Sequence, residues 1–252
     1  GTTMPQVQHV ADSATWKFQV NAPDYGEIGG SFTATVLPKQ LTMQFTTATE
    51  KVYDGKATAS VTKNSETGVD GVEGTDSIAA EAQAVYTAGP DAGIDKEIAI
   101  TYTLQFTAGI PGDYYITSPD APLTADESTE AVTVTETVKG TILQADVTVT
   151  IEPQQAVYDG QAPEVDDSKW QPKTGTVYGS DSLGIDLAIA AEDPNPAVQG
   201  EHVITGTSSN ANYKVTFENG IFTVNHRPIT VQIGETNGYY GNTTDLSQVI
   251  LT

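Results

Sequence analysis

The chain has 252 residues, a formal net charge of −22 at pH 7 and no cysteine. Its 33 acidic residues outnumber its 11 basic ones, which excludes the basic surface that nucleic-acid binding requires and equally disfavours anionic lipid. No run of about 20 apolar residues is present, so the sequence predicts no membrane insertion. The length suggests about two domains.

The first 40 residues hold two strand-like segments, Trp16–Val20 and Gly30–Val36. The second begins with a glycine followed by apolar residues, and the segments that start at Gly140 and Gly220 share this pattern. Each of those later segments precedes a strand with apolar residues at every second position. We therefore interpret residues 1–40 as the closing strands of a preceding module.

An alternating strand followed by a tyrosine-containing corner occurs three times. The copies are LTMQFTTATEKVYDG from Leu41, VTVTIEPQQAVYDG from Val147 and ITVQIGETNGYYGN from Ile229. Apolar residues at every second position predict half-buried strands. At a corner, aspartate bonds to nearby backbone groups and glycine accepts a positive φ. The predicted structural corners of the first two copies are Tyr53, Asp54, Gly55, Tyr158, Asp159 and Gly160.

This repeat divides the chain into modules. Residues 41–145 and 146–227 are two fuller modules, and residues 228–252 are the opening strand and corner of a following one. In both fuller modules a Gly-x-Asp-Ser segment follows the corner tyrosine at the same distance, 23 residues counted to Asp76 and to Asp181. Equal spacing on both sides indicates true repeats.

The strongest local signal is YKVTFENGIFTVNH, residues 213–226. Asn219-Gly220 suits a two-residue type I′ turn, because both positions of that turn need a positive φ. The resulting hairpin would pair Phe217 with Phe222 on one apolar face. We therefore predict Asn219 and Gly220 as a further structural corner.

Helical signals are weak. The alanine-rich stretches 76–88 and 182–192 could each hold a short helix, but Ile185, Leu187 and Ile189 alternate and favour a strand in the second. The sequence thus predicts an all-β fold of tandem, elongated repeat modules with sandwich-like cores. β-grasp-like modules with a short helix are the alternative.

A family resemblance rests on KVYDGKATA, AVYDGQAP, and NYKVTFENGIFTV followed by RPITV. On these segments, residues 41–252 resemble the YDG and MBG repeats of Gram-positive, lactobacillus-like mucus-binding surface adhesins. The resemblance implies a YDG-like module at 41–145 and an MBG-like module at 146–227. It further implies secreted, mainly β modules strung along a cell-wall-attached protein and linked with adhesion to mucus.

No enzymatic motif is present: the sequence lacks the metalloprotease, nucleophile-elbow, phosphate-loop and dinucleotide patterns. We therefore expect no enzyme. The family resemblance implies no catalytic residues either. The three histidines stand far apart in strand-like or terminal sequence and are interpreted as surface residues; they are His9, His202 and His226.

Two ligand hypotheses remain open. Acidic residues crowd two loops, and hard oxygen ligands suit Ca²⁺, although solvated loop acids are the alternative. The candidate metal ligands are Asp70, Glu73, Asp76, Asp91 and Asp95. Large aromatics anchor binding surfaces but also fill cores; the candidate ligand-binding residues are Trp170 and Tyr178.

Three functions fit these observations. The first is a non-enzymatic adhesin segment, a monomer that binds mucin-like host glycoproteins or glycans. The second is a structural stalk that projects the adhesive tip from the wall. The third is an accessory carbohydrate-binding part of an extracellular glycan-active enzyme. No cofactor is required by any of them, Ca²⁺ being the one candidate.

Overall fold

The computed structural model divides into two compact units, Gly1–Gln144 and Ala145–Thr252, which we call module 1 and module 2. The division falls beside the start of the module predicted from residue 146, while the predicted limits at 40 and 227 stay predictions. The residues that the structure describes are 6–118, 120–124, 131–231 and 240–241. Most of the predicted third copy therefore lies outside them.

Strands account for the regular structure of the described residues, in which no α-helix occurs and the helical turns are two 3₁₀ turns, Val10–Asp12 and Pro111–Asp113. The predicted all-β fold is confirmed. The strands are β1 (Ala14–Ala22), β2 (Gly26–Ala34), β3 (Lys39–Gln40), β4 (Thr42–Met43), β5 (Phe45–Thr47), β6 (Glu50–Val52), β7 (Thr58–Ala59), β8 (Val61–Lys63), β9 (Val69–Asp70), β10 (Ser77–Tyr86), β11 (Gly93–Ala108), β12 (Tyr114–Tyr115), β13 (Ala131–Leu143), β14 (Ala145–Ile151), β15 (Gln154–Val157), β16 (Trp170–Thr174), β17 (Ile185–Ile189), β18 (Gly200–Ser208), β19 (Tyr213–Glu218) and β20 (Gly220–Asn225).

The alanine-rich stretches that could have been helical are strands β10 and β17. In β10 the apolar residues alternate between buried and exposed positions, a spacing that suits a sheet with one face on a core and would scatter around a helix. In β17 the alternation of Ile185, Leu187 and Ile189 predicted the outcome, and Leu187 is buried. Tertiary burial thus decides against the helical preference of alanine.

Module 1 is built on a five-stranded sheet in the order β6-β13-β11-β10-β7. Its centre is the long antiparallel pair β11 and β13, and β10 adds on the other side of β11. Alternate residues of β11 from Ile98 to Phe106 are buried, and the rings of Tyr102 and Phe106 lie against Phe45 of β5 and Tyr114 of β12. The core therefore lies on one face of a curled sheet, covered by shorter pairs.

Module 2 is a sandwich of two sheets, β16-β14-β19 and β15-β20-β18-β17. Ile151 from the first sheet and Leu187, Ile204, Phe222 and Val224 from the second form one buried cluster. Strands β17 and β20 contribute alternate residues to this cluster or to its edge, as expected for sheets packed face to face. The sandwich-like core predicted from the sequence is therefore present in module 2.

The predicted hairpin at Asn219-Gly220 is wrong. β19 pairs in parallel with β14, whereas β20 pairs with β15 and β18, so the chain crosses here from one sheet to the other. Gly220 does not have a positive φ; a Cβ there would lie 2.7 Å from Cγ2 of Ile151. Glycine is thus required by close approach, and Phe217 and Phe222 face one core from opposite sheets.

Apart from the N-terminal hairpin of β1 and β2, early and late strand segments of each module lie side by side in parallel. In module 2, β14 pairs with β19 and the following β15 pairs with β20. In module 1, β3 pairs with β12 and the later β6 pairs with β13. In both modules, therefore, an early segment of the chain pairs in parallel with a late one. The sequence suggested only an antiparallel hairpin.

The N-terminal segment forms an antiparallel hairpin of β1 and β2, in agreement with the predicted strands. Trp16 lies opposite Phe32 and Val20 opposite Ile28, all on the face that carries Phe18. The Trp16 and Phe32 rings stack at 5.7 Å, yet Phe18 and Ile28 remain about half exposed, at 48% and 56%. The hairpin thus presents an apolar face that nothing among the described residues covers.

Candidate functional site

The Tyr-Asp-Gly corners of the two modules have the same geometry. Asp54 Oδ1 accepts a hydrogen bond from the Lys56 backbone N–H at 2.9 Å, and Asp159 Oδ1 accepts one from Gln161, also at 2.9 Å. Gly55 and the glycine of the second corner have φ values of 73° and 85°. At both corners the aspartate thus accepts a backbone N–H two residues on, and the glycine has a positive φ.

The backbone of each corner tyrosine is tied to the last strand of its own module. Tyr53 N–H donates to the Leu143 carbonyl at 2.8 Å, and Tyr158 N–H donates to that of Asn225 at 2.9 Å. The two side chains differ, because Tyr53 is 4% exposed and Tyr158 is 42% exposed. The tyrosine side chain of the corner is therefore buried in module 1 and half-exposed in module 2.

A tyrosine–aspartate pair, which we call the lock, holds the loop that precedes β10 in module 1. The buried Tyr114 hydroxyl donates to Asp76 Oδ2 at 2.5 Å and accepts the Glu73 backbone N–H at 3.2 Å. The loop is itself a tight turn, in which Asp76 N–H donates to the Glu73 carbonyl at 3.0 Å and Gly74 has a φ of 57°.

Module 2 contains the same lock. The buried Tyr213 hydroxyl donates to Asp181 Oδ2 at 2.8 Å and accepts the Tyr178 backbone N–H at 2.8 Å. Asp181 N–H donates to the Tyr178 carbonyl at 3.1 Å, and Gly179 has a φ of 59°. The equal spacing of the Gly-x-Asp-Ser segments in the sequence therefore reflects this lock. The sequence alone placed the two tyrosines in closing strands and did not indicate their bonds to the aspartates.

The locks hold their tyrosines neutral. Burial, and then the adjacent carboxylate of Asp76, raise the pKa of Tyr114 to about 12. Burial likewise raises the pKa of Tyr213, with Asp181 adding to the effect. A hydroxyl that stays protonated can donate to the aspartate at every physiological pH, so both locks are permanent structural features.

The candidate calcium ligands are not brought together. Among the described residues, no group of three or more His, Asp or Glu side chains is arranged to hold a metal ion. Glu73 forms an ion pair with Lys39, and Asp76 belongs to the lock of module 1. Asp70 lies at the end of β9, while Asp91 precedes β11 and Asp95 lies within it.

The two candidate ligand-binding aromatics lie against framework elements. Trp170 begins β16, is half-buried, and packs against the apolar cluster of module 2. Tyr178 is half-buried and donates its backbone N–H to the lock. Both positions favour packing over an exposed stacking platform, whereas the ring of Tyr158 is 42% exposed.

His202 is buried, at 4% exposure, and the interpretation of it as a surface residue is wrong. Its Nδ1 lies 2.6 Å from Asp193 Oδ2, and its Nε2 lies 2.9 Å from the Val198 carbonyl oxygen. Since both neighbours are acceptors, the ring satisfies them fully only as imidazolium. The Asp193 hydrogen bond accordingly raises the pKa of His202 and lowers that of Asp193.

We call the space between the strand that precedes the corner and the residues that follow the corner the seam. In module 1 the two sides of the seam are joined by hydrogen bonds. Lys51 Nζ donates to Asp54 Oδ1 at 2.6 Å and to the carbonyl oxygens of Lys56 and Thr58 at 2.9 and 3.1 Å. The last of these belongs to β7, which pairs antiparallel with β10. Lys51 thus links β6 and β7, the two edge strands of the five-stranded sheet of module 1.

The seam of module 2 is held near the start of β15, where Glu152 N–H donates to the Lys169 carbonyl at 2.9 Å. Gln154 exchanges two hydrogen bonds with the backbone of Asp166, at 2.8 and 3.2 Å, and Asp167 Oδ1 accepts the Leu187 N–H at 2.6 Å. Between β15 and residues 159–169 remains a groove of about 630 Å³. We call it the seam groove, and it is the candidate site of this chain.

These features define two all-β modules that share a corner and a lock, with no helix among the described residues long and apolar enough to cross a membrane. Residues 37–122 match the family model of the YDG domain. The chain therefore contains a YDG-type domain, which includes the first corner and the lock of module 1. No curated protein and no solved structure gives a significant match.

The lock predicts a specific loss of stability. In the Tyr213→Phe variant the Tyr178 N–H loses its acceptor in a buried setting, and we expect a loss of about 1–3 kcal/mol of unfolding free energy. Asp181→Asn should cost less, because its amide oxygen still accepts the hydroxyl. Denaturant unfolding measures both, and equal effects of the two variants would contradict the lock.

The buried histidine predicts a pH-dependent effect. A raised pKa for His202 contributes stability fully below its ordinary value of 6.5, and this is lost as pH rises through the raised value. The lowered pKa of Asp193 contributes stability above that residue's ordinary value of 3.8. The ion pair therefore stabilises the fold most between pH 3.8 and pH 6.5. His202→Gln should therefore lower the melting temperature more at mildly acidic than at alkaline pH. His226→Gln, at an exposed position, serves as the control and should show no such dependence.

Proposed function

We propose that this chain is a non-enzymatic, load-bearing repeat segment of an extracellular, cell-wall-attached bacterial adhesin. Its modules hold the adhesive part of such a protein at a distance from the wall. The YDG-type domain fits this proposal, and the wall context comes from the family resemblance stated above.

The parallel pairing of entering and leaving strands carries the proposal. In module 2 the chain enters at β14, and it leaves at the far end of β20 beside β15. Tension along the chain pulls these neighbours in opposite directions along their length. Such a load acts on all the ladder hydrogen bonds at once, whereas an antiparallel hairpin pulled from its open end loses them one at a time. With no cysteine to form a disulfide, these ladders are the load-bearing elements.

The repeated residues also support a framework role. The corner aspartates and both members of each lock form hydrogen bonds within their own module. A site selected for a ligand would instead repeat side chains that point outward. We therefore place the role of a spacer between the wall and the adhesive part ahead of ligand binding.

The N-terminal hairpin supports a tandem arrangement. Gly30 lies opposite Phe18 in β1–β2, as Gly220 lies opposite Ile204 in β20–β18. In module 2 the corresponding face is covered by a second sheet, whereas that of the hairpin is exposed. The hairpin thus resembles the closing strands of a module that would precede this one.

Binding to mucin-like host glycoproteins is the second candidate, favoured by the half-exposed Tyr158 ring beside the seam groove. The net charge of −22 opposes attraction to sialylated or sulfated mucin, and physiological salt screens that repulsion over roughly 8 Å without reversing it. A neutral glycan or a bridging Ca²⁺ would be needed.

Single-molecule pulling from the two chain ends tests the load-bearing role. By the two-residue alternation of a strand, Ala156 N–H points to β20, as Tyr158 N–H does. Val157 N–H therefore points away from it. Ala156→Pro should lower the unfolding force of module 2, while Val157→Pro, the matched control, should leave it nearly unchanged. Equal forces in both variants and the parent chain would contradict the proposal.

Retention on immobilised mucin, measured with and without Ca²⁺, separates the two candidates. If the chain acts as a spacer, we expect no retention above that of a non-binding acidic control protein in either buffer. Saturable retention would overturn the order of the two functions. Retention only with Ca²⁺ would in addition revive the calcium site predicted from the acidic loops.

A further inference from the structure

We propose that the seam groove of module 2 binds an extended peptide that carries lysine or arginine, by adding a strand to the free edge of β15. This inference goes beyond the spacing role and does not depend on where the protein is located. It rests on a difference between two modules that otherwise share corner, lock and strand order.

A single residue position accounts for much of the difference. Lys51 precedes the corner tyrosine by two residues in module 1, and Ala156 takes that place in module 2. Alanine has no amine to reach the carbonyl groups that Lys51 bonds across the seam. Pro163 also takes the place of Thr58, five residues after the tyrosine, and proline is disfavoured within a sheet. Module 2 accordingly has no counterpart of β7, and its seam stays open.

The open seam leaves backbone groups available. β15 is an edge strand whose ladder partner is β20. Since Tyr158 N–H points to β20, the alternation of the strand directs the backbone N–H and C=O groups of Gln155 and Val157 away from β20. Both residues line the groove. An extended chain laid along this edge would complete their hydrogen bonds, which is how strand addition gives affinity.

The shape of the groove suits a peptide strand. Its volume of about 630 Å³ lies within the ordinary range for ligand sites, roughly 300–1,000 Å³. Phe222 and Val224 form an apolar floor, and the side chains of Val157 and Tyr158 are 55% and 42% exposed at its rim. Alternate side chains of an added strand would meet these apolar surfaces, while the others would point to solvent.

Charge determines the kind of peptide. The lining includes the carboxylates Asp159, Glu164 and Asp166 and the single ammonium group of Lys169. The Ser168 hydroxyl and backbone N–H hold the pKa of Asp166 below its ordinary value, so this carboxylate is ionised. A strand with lysine or arginine complements such a rim. A second copy of the chain, with its net charge of −22, would be repelled.

The test uses the full chain and a blocked heptapeptide in which threonine and lysine alternate. Amide resonances of ¹⁵N-labelled chain are followed during titration, and we expect saturable shifts centred on Gln155 and Val157. Two matched peptides serve as controls. One carries N-methyl groups at alternate residues, which removes the ladder donors, and the other has glutamate in place of lysine. Neither should bind.

Two variants test the site itself. Val157→Pro removes an N–H that points into the groove without touching the ladder to β20, and should weaken binding by roughly tenfold or more, a change of 1.4 kcal/mol or more. Ala156→Lys restores the residue that fastens the seam of module 1 and should weaken binding similarly. Ala188→Lys adds the same charge at an exposed position of β17 and should bind nearly as the parent chain does.

Several results would overturn the proposal. Absence of shifts with the lysine peptide refutes it, and so does equal binding of the N-methylated peptide, because a ladder is then not involved. Equal binding of the glutamate peptide refutes the charge argument. Shifts at Gln155 and Val157 that depend on chain concentration without peptide would assign the edge to a second copy. Undiminished binding by both Val157→Pro and Ala156→Lys would place the peptide elsewhere.

Discussion

Module 2 depends on the parallel contact between its first and last strand segments. In module 2 this contact runs through β14 with β19 and continues through β15 with β20, so one pair of chain segments serves both sheets. Gly220 makes the crossing possible, because a Cβ there would meet Ile151. Everything else in the sandwich is positioned by this crossing: the apolar cluster lies between its two halves, and the corner follows where β15 leaves the sheet.

The locks show how a repeat keeps its geometry while its sequence drifts. Tyr114 and Tyr213 hold the same turn through the same pair of bonds, one to an aspartate and one from a backbone N–H. The surrounding residues differ, since the turn position that donates its N–H is Glu73 in one module and Tyr178 in the other. Because the donor is a backbone group, its side chain is free to vary, and only the tyrosine, the aspartate and the glycine of the turn are constrained.

The seam illustrates the opposite behaviour. Lys51 fastens it in module 1 through three hydrogen bonds, and Ala156 leaves it open in module 2. Beside the open seam Tyr158 is half-exposed, whereas Tyr53 is buried. The two modules therefore differ at a position that neither the corner nor the lock uses, and this difference gives module 2 a surface of its own.

The sequence by itself determined the alternating strands and the two Tyr-Asp-Gly corners, because alternation of apolar residues and the backbone preferences of aspartate and glycine are local properties. It also reported the lock, through the equal spacing of Asp76 and Asp181 from their corner tyrosines, without revealing the partner. Tertiary structure alone decided strand pairing. Asn219-Gly220 favours a hairpin locally, but burying Phe217 and Phe222 from facing sheets satisfies the same alternation and keeps β14 and β15 paired. The burial of His202 and the open seam were likewise decided by contacts between residues far apart in the chain, which no local pattern encodes.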